Sequence, residues 1–564
     1  MKKSKFLLLL ALSLVLSVFL AACGGGNSSQ NNSGKGEGQP PAGEGEATGP
    51  QVLNVLDSAE IPTMDTVKGT DAVAFNVMNN VFEGLYRLSE NDEVVEGIAK
   101  EHKASEDGLV YTFTLREDAV WSNGDPVTAK DFVYGWQRAV DPTVGSEYGP
   151  YMMNGKIKNA EKVSAGELPL EELGVKALDD YTLEVTLEQP VAYFESLMTF
   201  PTFFPQHQGF VEEQGENYAL EAENLVYNGP FVLSKWEHEV GWTMTKNDKY
   251  WDKDTVKLDE INVKVVKEVS TGVNLYTAKQ IDISPGLTSE FVELYKEDPN
   301  LIQYLEPTIF WFKMNQTKNE ALANVNIRKA LSMAFNKEDL AKVVLNNGSV
   351  PANFSVPVEF VQHPESGDDF RDKFGDFNKF DAEKAKEFWE KGLEELGTDA
   401  LTIEILGGDT ETAKNMQQYL QNQFETNLPG LTIELKEVPF AQRLDLDSAM
   451  DYDMQLAGWG PDYLDAISFA NLWITDGGNN KMGYSNPEYD KLLNDVMTTY
   501  ANDPVKRFEA MQEAERILLE EDAAIAPIYQ RGTTRLWQPY VQNVYKHNFG
   551  PDFSYKWAYI SGKE

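Results

Sequence analysis

The chain has 564 residues, with 49 Lys and Arg against 90 Asp and Glu, giving a formal charge of −41 at pH 7. So acidic a chain repels phosphate backbones, which argues against nucleic acid as a partner; 42% hydrophobic and 11% aromatic residues exclude a disordered acidic tail. At roughly 150 residues per domain, three or four compact units are expected.

The single cysteine, Cys23, rules out an internal disulfide framework, a Cys-based zinc site and a Cys-x-x-Cys redox centre. Three lysines within Met1–Lys5, the apolar run Phe6–Leu20 and the small residues of Leu20-Ala-Ala-Cys23 predict a secretory signal peptide over residues 1–22. The run is at the short end of the ~17–25 residues that a membrane span needs. Its ending also resembles the bacterial lipobox, which implies acylation of Cys23 and attachment to the outer face of the cytoplasmic membrane. Residues 24–50 are dominated by Gly, Asn, Ser, Gln, Pro and Glu, a composition that cannot offset the entropy of ordering. They read as a tether with a reach of ~30 Å.

Folded structure is expected from the alternating run Gln51–Asp57 onward. Tyr111–Arg116, Tyr181–Leu187 and Ile261–Val266 alternate in the manner of strands. A helix is predicted from Thr128, with Asp131 three residues on as a capping box, an apolar face of Phe132, Val133, Trp136, Ala139 and Val140, and Asp141-Pro142 as its stop. Ile327, Ala330, Leu331, Ala334 and Phe335 give a second amphipathic helix. Further helices are predicted over 382–396, 412–426, 487–500 and 504–520. No repeat of 20 to 50 residues is present, so the fold class is α/β with several domains.

Catalytic and metal motifs are sparse. His102, His207, His238, His363 and His547 are scattered, and Glu237-His238-Glu239 lacks the His pair of a zinc protease. Gly145-Ser-Glu-Tyr-Gly149 has its Ser at the wrong place for a nucleophile elbow, and no Gly-rich loop ends in Gly-Lys-Ser/Thr. Acidic runs such as Asp445-x-Asp447 and Asp451-x-Asp453 lack calcium-loop spacing. The chemically unusual stretch is Gln455–Asp465. Its glycines flank Trp459 and leave room for another backbone to add as a strand, with Asp462 as a fixed anion suited to an α-ammonium. On the residues alone it reads first as a Gly-rich turn whose Trp packs in a core and whose Asp caps a helix.

Phe82-Glu-Gly-Leu-Tyr86, Trp121-Ser-Asn-Gly-Asp-Pro-Val-Thr-Ala-Lys-Asp-Phe132, Gly174–Asp179, Asn228-Gly-Pro-Phe231, Tyr250-Trp-Asp252, Ile327-Arg-Lys-Ala-Leu331, Gly458-Trp-x-x-Asp-Tyr463 and Tyr484–Asp490 occur in order. Together they resemble the extracellular oligopeptide-binding proteins of bacterial ABC importers, within the peptide/nickel type of solute-binding protein. The resemblance implies a two-lobed, periplasmic-binding-protein-like fold with a hinge. Lobe one would be discontinuous (51–82, 208–312 and 530–564), with a small extra domain at 83–207 and lobe two at 313–529. It implies that Asp462 pairs with the ligand's α-ammonium, that Gly458, Trp459, Gly460, Thr70 and Ala72 bond the peptide backbone, and that Tyr148 and Phe440 are cleft aromatics. Basic residues that meet the ligand's C-terminal carboxylate in some members are replaced here by Leu456 and Asp447. The expectation is a monomeric, lipid-anchored receptor that captures oligopeptides and delivers them to a membrane permease, without cofactor, metal or catalysis. The rivals are a receptor of the same fold for a sugar, a nickel complex or a signalling peptide, and a secreted hydrolase using paired carboxylates.

Overall fold

A computed structural model describes residues 46–563; the signal peptide, Cys23 and most of the tether expected from the sequence lie outside the described residues. The chain opens with strand β1 (Val52–Asp57), then helix α1 (Ala72–Val81), capped by Asp71. Strands β2 (Ala99–Ala104) and β3 (Val110–Leu115) follow, then helices α2 (Ala129–Val140) and α3 (Tyr148–Met153), then β4 (Val175–Asp179) and β5 (Thr182–Thr186). The order β2-β3-β5-β4 forms an antiparallel sheet. The capping box at the start of α2 is present, the Thr128 N–H donating to Asp131 at 2.7 Å, and the helix stops before Asp141. Phe132, Trp136, Ala139 and Val140 are buried; Val133 is half-buried at the edge of that face.

Strands β6 (Phe231–Glu237), β7 (Gly241–Lys246) and β8 (Glu260–Val265) extend β1 into a four-stranded sheet of order β1-β8-β7-β6, with β1 parallel to β8. The long strand β9 (Leu301–Met314) begins a second system: α4 (Val325–Met333), α5 (Ala382–Leu396), β10 (Leu401–Gly408), α6 (Glu411–Asn427), β11 (Leu431–Val438), α7 (Phe440–Ser448) and β12 (Met454–Trp459). Helices α8 (Pro487–Met497) and α9 (Pro504–Arg516) lead to strand β13 (Ile525–Leu536). The six-stranded sheet runs Val350–Pro351, β13, β9, β12, β10, β11.

Three helix ends differ from the periodicity. α4 stops at Met333, and Ala334 and Phe335 continue its apolar face as buried residues beyond the helix. α8 ends at Met497, and α9 widens into π geometry over Ile517–Glu521, where buried Ile517, Leu518 and Leu519 follow one another without a polar break.

Two features govern how the pieces join. β9 and β13 pair over Leu301–Leu305 with Gly532–Leu536 and again over Ile309–Lys313 with Ile525–Gln530, skipping the residues between. In that gap the buried Glu306 carboxylate accepts from Arg531 at 2.7 Å and from the Thr533 hydroxyl at 2.5 Å, with Lys546 at 3.4 Å. Arg531 and Lys546 hold its pKa well below the usual carboxylate range in spite of burial. The two ends of the described chain also meet: Thr48 N–H donates to Ile560 O at 3.0 Å, and Gln51 exchanges two 3.0 Å bonds with the Ile560 backbone.

Candidate functional site

β12 lies between β9 and β10. β9 pairs its whole length, from Met314 with Met454 to Ile309 with Trp459, but β10 reaches only Met454 and Gln455. From Leu456 to Trp459 the strand is therefore bonded along one edge and open along the other, where an extended segment could add by backbone bonds. The glycines of this stretch have steric reasons. Gly458 sits opposite Phe310, whose ring would stand 2.7 Å from an added Cβ and is itself stacked on Tyr529 at 4.7 Å. Gly460 has more room, its nearest neighbour being Thr308 Oγ1 at 3.2 Å.

Trp459 emerges from this strand into an aromatic cluster. It stacks on Tyr148 (6.3 Å, 23°) and meets Tyr151 edge-on (6.0 Å, 90°). Tyr148 is held by Phe75 of α1 at 5.1 Å and by Phe200 at 5.8 Å. Its helix, α3, can approach the end of α2 because Gly149 has no side chain; a Cβ there would lie 1.7 Å from Ala139 O.

Asp462 is anchored through its backbone: its N–H donates to Ser468 Oγ at 3.0 Å, and the preceding Pro461 carbonyl accepts from Gly550 at 2.9 Å. One oxygen of its side chain is left over. Asp462 is 6% exposed, and Oδ2 has no hydrogen-bond partner. The helix-cap reading fails at this position, since Asp465 rather than Asp462 accepts from the Ile467 N–H, at 3.0 Å. Burial raises the Asp462 pKa to about 8, opposed by the nearby Tyr151 hydroxyl and by Lys156. The Tyr151 hydroxyl lies close enough to favour the carboxylate without completing a bond. Lys156, itself 4% exposed, donates to Tyr151 O at 3.0 Å. Burial lowers its pKa to about 8 against the attraction of Asp462. Tyr151 Oη, Tyr463 Oη, Trp459 Nε1 and Asp462 Oδ2 are all buried and unpartnered. Protein interiors leave few such atoms, so a cluster of them marks a place where a partner from outside is expected.

Of the residues expected from the sequence, Asp462, Trp459, Gly458, Gly460 and Tyr148 come together here. Thr70 and Ala72 flank Asp71 at the start of α1, whose Phe75 supports Tyr148. Phe440 opens α7 and lies under the Arg443 guanidinium at 5.2 Å, outside the ring cluster around Trp459. Leu456 is buried in the core of the six-stranded sheet, and Asp447 is held by Lys313 and, at 3.8 Å, by Lys481. Tyr151 and Lys156 were not foreseen; the signal for Tyr151 was its place three residues after Tyr148 on one helix face. Among the described residues no group of three or more His, Cys, Asp or Glu is placed to hold a metal ion, and no helix is long and apolar enough to cross a membrane.

Comparison with known proteins places the chain in a family. The model of the bacterial extracellular solute-binding proteins, family 5 middle region, matches residues 93–481, and the chain belongs to that family. It is 35% identical over 518 residues to the dipeptide-binding protein of Lactococcus lactis, covering 89% of this chain and 93% of the relative. The solved Listeria monocytogenes OppA bound to peptide shares 45% identity with a TM-score of 0.88, covering 92% of this chain and 100% of that one. The Escherichia coli murein tripeptide-binding protein MppA, 27% identical, superposes with a TM-score of 0.82 in one structure (92% and 100% covered) and 0.61 in its unliganded open form (92% and 99%). The α/β, periplasmic-binding-protein-like fold and the resemblance to oligopeptide-binding proteins expected from the motifs are both found.

Proposed function

We propose that this protein is a receptor that captures oligopeptides between two lobes and hands them to an ABC importer, with no catalysis of its own. The observation that carries the reading is the buried, unpartnered carboxylate of Asp462 beside the open edge of Leu456–Trp459. An extended peptide satisfies both at once: its backbone adds to the edge without regard to sequence, and its α-ammonium meets Asp462, which fixes the register. Tyr148, Trp459 and Phe440 then offer apolar walls for side chains.

Closure is the proposed binding mode. Both expected lobe boundaries, 312/313 and 529/530, fall on the paired strands β9 and β13; Tyr529 and Gln530 pair with Phe310 and Ile309, next to the skipped pairing at Glu306, where a bend costs few ladder bonds. The better superposition on one MppA structure than on its open form supports a closed arrangement for the present structure. Lipid attachment through Cys23 would hold the receptor at the outer face of the membrane as a monomer. Two or three acyl chains at ~0.8 kcal/mol per buried CH₂ anchor firmly where one does not, so Cys23→Ser should release the protein into the medium.

Native mass spectrometry of the purified protein tests the central claim. A series of co-purifying peptide masses supports it; a single non-peptide mass, or steady turnover of a substrate, overturns it.

A further inference from the structure

The two half-ladders of β9 and β13 pack into different cores. In the first half, Leu301 and Leu536 join the cluster of Val269 and Val273; in the second, Phe312 lies 5.6 Å from Phe424 in a cluster that also holds Ala526 and Ile528. Glu306, in the gap between them, is bonded to both halves. Its backbone C=O accepts from Gln530 Nε2 of the second half at 3.0 Å, and Gln530 is itself fixed there by the Val358 N–H at 3.0 Å. Its carboxylate accepts from the Thr533 hydroxyl of the first half at 2.5 Å and faces Lys546 at 3.4 Å. Lys546 pairs with Phe553, whose C=O accepts from Asn79 and Asn80 of α1 at 3.1 and 3.0 Å, so this cation is held from α1.

Glu306, Gln530 and Thr533 are all buried. Gln530 and Thr533 stand three residues apart on one strand, separated by Arg531, which the pairing with β9 skips, and by Gly532. A bend between the half-ladders changes the spacing of Gln530 and Thr533, and Glu306 cannot keep both bonds through it. One group is then left buried without its partner, at a cost that is greatest on the charged side. We propose that Glu306 staples the hinge in its closed setting and thereby sets how long a captured peptide stays bound. The staple rests on the proposed capture by closure and deepens it. Because it acts on the closing equilibrium and not on the ligand, it scales the affinity of every peptide by one factor.

Stopped-flow displacement tests the staple with two alanine-rich peptides of four and eight residues, each carrying one tyrosine, on wild type, Glu306→Gln and Thr533→Val. Valine keeps the shape of threonine and removes the donor; glutamine keeps the size of glutamate and removes the charge. Each variant should release both peptides about tenfold faster, the lower end for a hydrogen bond to a charged group, with association rates within about twofold of wild type. A merely structural role would lower the fraction of active protein and leave the release rate of that fraction unchanged. If Glu306→Gln does not fold, Thr533→Val decides alone. Wild-type release rates in the folded variants overturn the staple and leave the receptor reading standing. So does a factor that differs between the two peptides, since it assigns the loss to a contact with the ligand. No binding of either peptide by wild type overturns both.

Discussion

Glu147 and Lys481, 334 residues apart in the chain, form a 2.5 Å ion pair that joins the α2–α3 connection to the segment after β12. Ser448 accepts from Lys481 at 3.0 Å and donates to Glu147 at 2.8 Å, so three side chains from distant parts of the sequence close one small network. With the domain bounds expected from the sequence, this network ties the small extra domain (83–207) to lobe two (313–529). Both charges keep some exposure, which limits the pair to ~1 kcal/mol. Glu147→Gln and Lys481→Met should each weaken peptide affinity about two- to fivefold, non-additively in the double mutant, and the loss should shrink at high salt. Additive losses would assign the residues to separate effects.

Asp462→Asn should weaken a peptide with a free N-terminus by two to four decades, because removing one side of a buried ion pair costs ~3–5 kcal/mol. N-acetylation of the same peptide should cost wild type heavily and the variant little, a coupling that calorimetry reads directly. Equal acetylation penalties in both proteins would remove Asp462 from the anchor role.

The raised pKa values give a pH dependence with a definite sign. Asp462 titrates near 8 and Asp71 near 7 when folded, against ~3.9 unfolded. The folded state holds these protons longer, so their contribution to stability is full below pH ~4 and is lost as pH rises through 7 and 8. Without ligand, the melting temperature should therefore fall from pH 5 to 8, and Asp462→Asn should flatten the fall; over the whole span between the unfolded and folded pKa the effect of Asp462 is at most ~6 kcal/mol. Peptide binding needs an ionised Asp462 and a protonated amine with a pKa of ~8. Affinity should peak near pH 8, and the acid limb should disappear in Asp462→Asn.

The two glycines beside Trp459 should separate packing from binding. Gly458→Ala drives a methyl into the stacked Phe310 ring, which should destabilise the fold by ~1–3 kcal/mol. Gly460→Ala meets only Thr308 Oγ1 at 3.2 Å and should change the melting temperature little. If a peptide backbone approaches there, Gly460→Ala should nonetheless reduce affinity about tenfold, which titration with a reference peptide measures. A variant with full affinity would move the incoming strand away from Gly460.

Local signals were readable wherever neighbours in sequence decide the outcome. Thr128 and Asp131 announce the start of α2, and the alternation after Gln51 announces β1. What was not readable depends on partners hundreds of residues away. Lys156 has no motif of its own; it acquires a role only when the fold brings Asp462 beside it. The cap reading of Asp462 stayed open for the same reason, since whether a carboxylate meets a helix N–H or is left without one is set by packing. The bonding of β9 to β13, with its break at Glu306, joins segments more than 200 residues apart, and no periodicity in either strand marks it.

The bonds from Thr48 and Gln51 to Ile560 make the described chain nearly a circle. A Cβ added at Gly49 would lie 3.6 Å from Lys563 O, and the Gly562 N–H donates to Thr48 Oγ1 at 2.8 Å. A short covalent bridge between the two ends would leave every strand pairing in place, so the order of the segments along the chain is separable from their arrangement in space. A fluorophore or affinity handle added after Lys563 would accordingly sit at the spot where the polypeptide enters the fold, beside its first folded residues.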